Sequence, residues 1–316
     1  MKVSGVSEVC EQVLGELEKV IVGKRDVLTK LLVAFLARGH VLIEDFPGLA
    51  KTLMAKSLAQ TLGLRFKRVQ FTPDLLPADI TGTYVYNQKT GEFELRKGPV
   101  YTNILLADEI NRAPPKTQSA LLEAMQERQV TLDGMTHPLE EPFIVIATQN
   151  PIEYEGVYPL PEAQLDRFAL KVRVGYPSEE EELEILARRV ARKSDTVKIE
   201  PIVSAAQVIE MQNAVESVHV DESVAQYIVA IARATRSHPR VEVGVSPRGA
   251  EILMKLARAR AALGGRDFVI PDDVKELAVE ALAHRIVLKS EHWIRGANPE
   301  NVIRDVVSAI PVPKSI

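Results

Sequence analysis

The 316-residue chain has one cysteine, Cys10, no surplus of positive charge and no long apolar run. With a single thiol no intrachain disulfide can form, and no Cys/His cluster stands at metal-ligand spacing, which fits a reducing compartment. Lys and Arg total 39 against 43 Asp and Glu, a net charge of -4 with a pI of about 6.0. That balance denies the chain the overall positive field of a nucleic-acid binder and leaves only a local basic patch to supply one. The longest apolar run, residues 31–37, falls far short of the ~20 residues of a membrane span. The start, MKVSGVSEVCEQ, lacks the apolar core of a signal peptide, so a soluble, cytoplasmic protein is expected. Repeats and low-complexity segments are also missing. What remains is 46% hydrophobic and 26% charged residues, enough for about two domains with real cores.

The stretch VLIEDFPGLAKT, residues 41–52, organises the rest. An apolar strand, a tight Pro-Gly loop and a Lys-Thr pair opening a helix follow in the order that a phosphate-binding P-loop requires. The strict pattern wants glycine where this chain has Asp45 and Ala50. An ordinary strand-turn-helix with a surface lysine has the same outline, so the stretch alone leaves both possibilities standing.

Before it, Val6, Cys10, Val13, Leu14 and Leu17 recur at helical spacing, with Ser7 as the expected cap and Glu8 and Glu11 near the positive end. Val27, Leu28, Leu31, Leu32, Phe35 and Leu36 mark a second helix stopped by Gly39. After the loop, a helix over 51–62 and strands over 65–71, 103–108 and 143–148 are expected, with a last strand carrying Leu170, Val172 and Val174. Two hairpins interrupt this series: one over 80–98 around Asn87 to Gly91, one over 129–140 around Asp133-Gly134. Five strands separated by helices indicate a doubly wound parallel α/β sheet. Beyond Gly175-Tyr176-Pro177 only helical patterns appear, over 179–192, 204–218, 222–237, 247–263 and 271–285. The expected division is therefore an α/β core, residues 1–176, and a smaller all-α domain, residues 177–316.

Asp108 and Glu109 end the apolar run Ile104-Leu105-Leu106-Ala107. Ligands in open α/β sheets bind outside the carboxyl ends of strands, so Asp108 should emerge beside the P-loop helix. There it can hold Mg²⁺ with Thr52, while Glu109 orients and activates water. Two acids that merely end a strand and face solvent are the bland alternative. Asn150, in Gln149-Asn150-Pro151, ends the next strand. Its amide can reach a terminal phosphate, although Asn before Pro is also a common turn former.

Together, IEDFPGLAKT, LLADEINRAPPKTQSALLEAMQERQV, ATQNPIEYEGVYPLPEAQLDRF and VSPRG resemble the MoxR family of AAA+ ATPases, over most of the chain from about Val20 to at least Arg285. The resemblance implies a P-loop AAA+ core with a helical lid, ATP/ADP and Mg²⁺ as cofactors, and ATP hydrolysis. It makes the loop Asp45, Phe46, Pro47, Gly48, Leu49, Ala50, Lys51, Thr52 and Leu53 the Walker A segment, with Lys51 on the phosphates. Asp108 and Glu109 become Walker B, and Asn150 sensor 1. Val22 and Gly23 flank adenine. Arg167 corresponds to an arginine finger that reaches a neighbouring subunit's nucleotide; an ion pair with Asp166 or Glu162 is its ordinary alternative. Arg248, in the first turn of a lid helix where the dipole disfavours a cation, corresponds to sensor 2.

The resemblance further implies a homo-oligomer, a hexameric ring, that remodels a client protein with a von Willebrand factor A domain partner, in chaperone-like assembly or metal-cofactor insertion. The first hairpin corresponds to a helix-2 insert and the second to a hairpin before sensor 1. The second tip, Leu132 to His137, carries Asp133 and no Lys or Arg; the first sets Lys89, Arg96 and Lys97 against Glu92 and Glu94. Strong phosphate tracking needs several unopposed cations. A nucleic-acid motor and a non-hydrolysing nucleotide-gated scaffold are the rival functions. Two local expectations concern the departures from the strict loop: Asp45 turns its carboxylate away from the phosphates, and Ala50 is tolerated because φ is negative there.

Overall fold

Residues 40–43, 104–108, 144–148 and 168–170 are buried without a break, as strands covered on both faces must be. The computed structural model describes residues 1–151, 156–194, 197–294 and 296–313. Residues 152–155, inside the ATQNP…DRF motif, lie outside the described residues. In chain order the core contains α1 (Val3–Glu18), α2 (Arg25–Leu36), β1 (His40–Glu44), α3 (Lys51–Thr61), β2 (Phe66–Gln70), α4 (Pro77–Thr81), β3 (Gly82–Asn87), β4 (Glu92–Lys97) and β5 (Ile104–Asp108). It continues with α5 (Pro115–Glu127), β6 (Gln129–Leu132), β7 (Met135–Pro138), β8 (Ile144–Gln149), α6 (Glu162–Leu165) and β9 (Phe168–Val172).

Five strands form one parallel sheet in the order β2-β5-β8-β1-β9. Period-two alternation sorts their side chains. Val41, Ile43, Ile104, Leu106, Ile144 and Ile146 enter one core with α1, α2 and α3. Leu42, Leu105, Ala107, Val145 and Ala147 face α5 through Leu121, Leu122 and Met125. The two hairpins stand off this sheet. In β3–β4, Tyr84 pairs with Leu95 and Tyr86 with Phe93; in β6–β7, Asp133 and Gly134, both at positive φ, close a two-residue turn.

The second part contains α7 (Glu179–Arg192), α8 (Ala205–Glu216), α9 (Glu222–Ser237), β10 (Val241–Val243), α10 (Pro247–Leu263), α11 (Pro271–Leu282), β11 (Val287–Leu288), α12 (Ser290–Ile294) and α13 (Pro299–Ala309). Its architecture is all-α. The short antiparallel pair β10–β11 only ties two of its loops together. α13 was not foreseen; Val302, Ile303 and Val306 bury one face of it, and the Asn298 side chain caps its start.

The expected cap of α1 is corrected. The helix begins at Val3 with Lys2 as N-cap and has no acid in its first turn. Ser7 instead sits inside the helix and donates its hydroxyl to the Leu263 carbonyl of α10 at 2.8 Å. α1 therefore shares a core with the lid helices as well as with the sheet.

Candidate active site

β1 delivers the loop to the carboxyl edge of the sheet, between β8 and β9. Asp45 N–H donates to the Gln149 carbonyl at 3.1 Å, extending the β1–β8 ladder by one residue. The Asp45 side chain is buried and turned sideways. Oδ2 accepts from Val174 N–H at 2.7 Å and Gly175 N–H at 2.6 Å, and Oδ1 from Phe46 N–H at 2.8 Å. Its charge thus ties down the chain leaving β9, as anticipated.

Ala50 behaves otherwise than expected. Its φ of 55° and ψ of 18° are left-handed. The residue is the N-cap of α3, outside the helix, so helical φ does not apply to it. The chain must turn from Gly48, also at positive φ, into Lys51 in two steps, and the glycine of the strict pattern meets that demand. Here alanine takes the conformation at a cost of order 1 kcal/mol.

The loop lines a cavity of about 400 Å³ with Pro47, Gly48, Leu49, Ala50, Lys51, Thr52 and Leu53 on one side and Arg68, Asp108, Glu109 and Asn150 on the other. Lys51 Nζ donates to the Asp45 carbonyl at 2.6 Å. α3 has no acid in its first turn, so its positive end is unopposed locally. Val22 and Leu53 share an adjoining cavity of about 580 Å³ with Val20 and Ile185. Those side chains give an apolar wall suited to a flat base. Gly23 has φ of 69°, the left-handed region that favours glycine, and the Glu181 side chain of α7 packs directly against it. Phe46 points toward Tyr176, with ring centroids 5.9 Å apart.

Asp108 and Glu109 are held by groups that the sequence did not single out. The Thr148 hydroxyl donates to Asp108 Oδ1 at 2.5 Å and accepts from Glu109 N–H at 2.8 Å. Arg68 places Nε at 3.0 Å and Nη2 at 2.7 Å from Asp108 Oδ2. Gln70 Nε2 donates to Glu109 Oε2 at 2.6 Å, and Arg112 Nε lies 3.2 Å from the same oxygen. Glu109 is left-handed, φ 56° and ψ 52°, a strained state for a side chain of its kind. Among the described residues no group of three or more His, Cys, Asp or Glu could hold a metal by itself. The Asp108 carboxylate and Thr52 hydroxyl are hard oxygen donors suited to Mg²⁺ once phosphate oxygens complete the shell.

Arg167 and Arg248 are not in this cavity. They line a second one, of about 460 Å³, with Arg38, His40, Arg128, Glu216, Glu251 and Lys255. His40 opens β1 and Glu44 closes it, and five residues of strand span roughly 15 Å. The two cavities therefore lie at opposite ends of the sheet. The Asp166 carboxylate faces Arg285 Nε at 3.2 Å and Arg248 Nε at 3.9 Å.

A family model described as the ATPase family associated with various cellular activities (AAA) matches residues 40–170, and an AAA lid domain model matches residues 233–306. The chain is 54% identical to the uncharacterized protein YeaC of Bacillus subtilis, over 94% of this chain and 92% of that one. It is 44% identical to chaperone MoxR1 of Mycobacterium tuberculosis, over 96% of this chain and 82% of that one. A solved structure from Cytophaga hutchinsonii superposes with a TM-score of 0.91 at 44% identity, covering 98% of this chain and 96% of that one. With the P-loop, the acid pair and the lid in place, the chain belongs to the MoxR family of AAA+ ATPases.

Proposed function

We propose that this ATPase hydrolyses ATP at sites shared between adjacent subunits of a hexameric ring, and uses the cycle for chaperone-like remodelling of a partner protein. The observation that carries the shared site is the separation of Lys51, Thr52, Asp108, Glu109 and Asn150 from Arg167 and Arg248 at opposite ends of one sheet. A head-to-tail neighbour would bring its arginine-lined end to the loop cavity. The core, residues 1–176, supplies the loop, the acids and Arg167; the lid, residues 177–316, supplies Arg248.

Lys51 and the loop amides hold the β- and γ-phosphates, and Val22, Gly23 and Leu53 flank the base. Thr52 and Asp108 hold Mg²⁺, which would offset phosphate charge when bound. Glu109 takes a proton from the attacking water, and Asn150 orients water or γ-phosphate. From the neighbour, Arg167 stabilises charge developing on the transferred phosphoryl group and Arg248 responds to the γ-phosphate. ADP is the product. The chaperone MoxR1 relative supports a protein client, and a von Willebrand factor A domain protein as partner, in the cytoplasm, extends that reading. Metal-cofactor insertion is one form the remodelling takes. No helix among the described residues is long and apolar enough to cross a membrane. A nucleic-acid motor is disfavoured by the mixed charges of β3–β4 and the acidic turn of β6–β7; DNA- or RNA-stimulated ATPase activity would restore it. A non-hydrolysing scaffold would show no steady-state turnover.

Glu109→Gln tests the chemistry. ATP binding should persist while turnover falls at least ~100-fold, the usual worth of a general base. Unchanged turnover would remove Glu109 from its role. Mixing Glu109→Gln with Arg167→Ala subunits should restore activity at mixed interfaces, and no recovery would sink the shared site.

A further inference from the structure

We propose that Arg285 and Asp166 are positioning residues for Arg167, so that the lid sets where the finger points; this rests on the interface role given to Arg167 above. Arg285 follows α11, in the lid, yet its side chain is only 1% exposed. Nη2 donates to the Asp166 carbonyl at 3.1 Å and the Phe168 carbonyl at 2.7 Å. Those are the carbonyls of the two residues that flank Arg167. Nη1 donates to the Ala281 carbonyl at 3.0 Å, anchoring the guanidinium to α11. Nε lies 3.2 Å from Asp166 Oδ1, within ion-pair distance but without hydrogen-bond alignment.

A buried guanidinium needs a counter-charge, and Asp166 supplies it from the residue before the finger. The other Asp166 oxygen lies 3.9 Å from Arg248 Nε, so two lid arginines meet one core carboxylate. Gly249 makes the room: a Cβ there would come within 3.0 Å of Arg285 Cδ. His284 Nε2 adds a second lid contact to the Phe168 carbonyl at 3.0 Å. Arg167 itself projects from a backbone segment held at both flanking carbonyls by one planar fork. Lysine, a point charge on a flexible stem, cannot hold two carbonyls and a carboxylate in that geometry. A shift of about 1 Å in a charge-stabilising group is enough to lower turnover by one to two orders of magnitude.

The test uses full-length Arg285→Lys. The affinity for a fluorescent ATP analogue should stay within about twofold while kcat falls about tenfold or more, the signature of an interaction made only in the transition state. Mixing with Glu109→Gln subunits should then raise activity above either parent, because the Glu109→Gln subunit brings an intact finger to the Arg285→Lys subunit's intact loop. Full activity of Arg285→Lys, or a loss that mixing fails to restore while Arg167→Ala is restored, overturns the clamp and leaves the shared site standing. Failure of Arg167→Ala itself to be restored removes the premise and overturns both. Should Arg285→Lys not fold, Asp166→Asn, isosteric and uncharged, carries the same measurements with the same expected outcomes.

Discussion

His40 is a buried base whose ring is fixed on both sides. Nδ1 accepts from Val145 N–H at 2.9 Å, and Nε2 lies 3.0 Å from the Met125 carbonyl, to which it donates. Burial pushes its pKa from 6.5 down to about 4, and the positive charges of Arg128 and Arg248 push the same way against the Met125 bond. The unfolded chain therefore takes up a proton below pH 6.5 that the folded chain refuses. Stability falls as pH drops from 6.5 toward 4 and levels off below that, by about 3 kcal/mol in all. Urea unfolding at pH 7.5 and pH 5 should differ by about 2 kcal/mol from this residue. His284, also buried and shifted down by desolvation, acts in the same sense, so the comparison needs His40→Asn. That variant should be less stable at pH 7.5 yet lose less on acidification; an unchanged slope would mean His40 titrates normally. Legibility at this scale was uneven. Asp45 was readable, because a carboxylate beside a triphosphate is repelled and must find donors elsewhere. Ala50 was not, because sequence position at a helix start says nothing of a residue that lies one step outside the helix.

β2 shows why elements were more legible than their neighbours. A strand over 65–71 was expected, and period two puts Phe66, Arg68 and Gln70 on one side. What made Arg68 and Gln70 part of the site is that β2 pairs with β5, Gln70 opposite Asp108. Sheet order follows from how helices cover both faces, which local pattern does not encode. α13 escaped for a related reason, since its three buried residues are too few to stand out before the lid they fill is known. The Arg68 contact has a measurable consequence. Its guanidinium, half exposed, occupies an oxygen of the carboxylate proposed to hold Mg²⁺. Arg68→Ala should lower the Mg²⁺ concentration for half-maximal ATPase activity about fivefold, the equivalent of ~1 kcal/mol for an exposed pair. A fall in kcat at saturating Mg²⁺ with an unchanged Mg²⁺ requirement would instead give Arg68 to the phosphates.

The whole molecule carries half of the proposed site at each end of its sheet, and a heterologous contact is what joins such halves into a closed ring. The ends carry different sets of charged groups. The loop cavity sets Lys51 and Arg68 against Asp108 and Glu109, and the adjoining cavity adds Lys56, Arg188, Arg192 and Lys198. The opposite cavity gathers Arg38, Arg128, Arg167, Arg248 and Lys255 against Glu216 and Glu251. With no excess of acid at the loop end, the phosphates of a bound nucleotide are what would draw a neighbour's arginine-lined end, an attraction that salt screens over a Debye length of about 8 Å at physiological ionic strength. Turnover per subunit should therefore rise with protein concentration to a plateau. The midpoint should move to higher concentration, by about tenfold, when salt is raised from roughly 0.05 M to 0.5 M. Sedimentation velocity run in parallel should show assembly following the same curve. Full turnover per subunit at dilutions where only monomer sediments would mean that one chain completes its own site, and the separation of Arg167 from Lys51 would then need a lid movement within the chain rather than a neighbour.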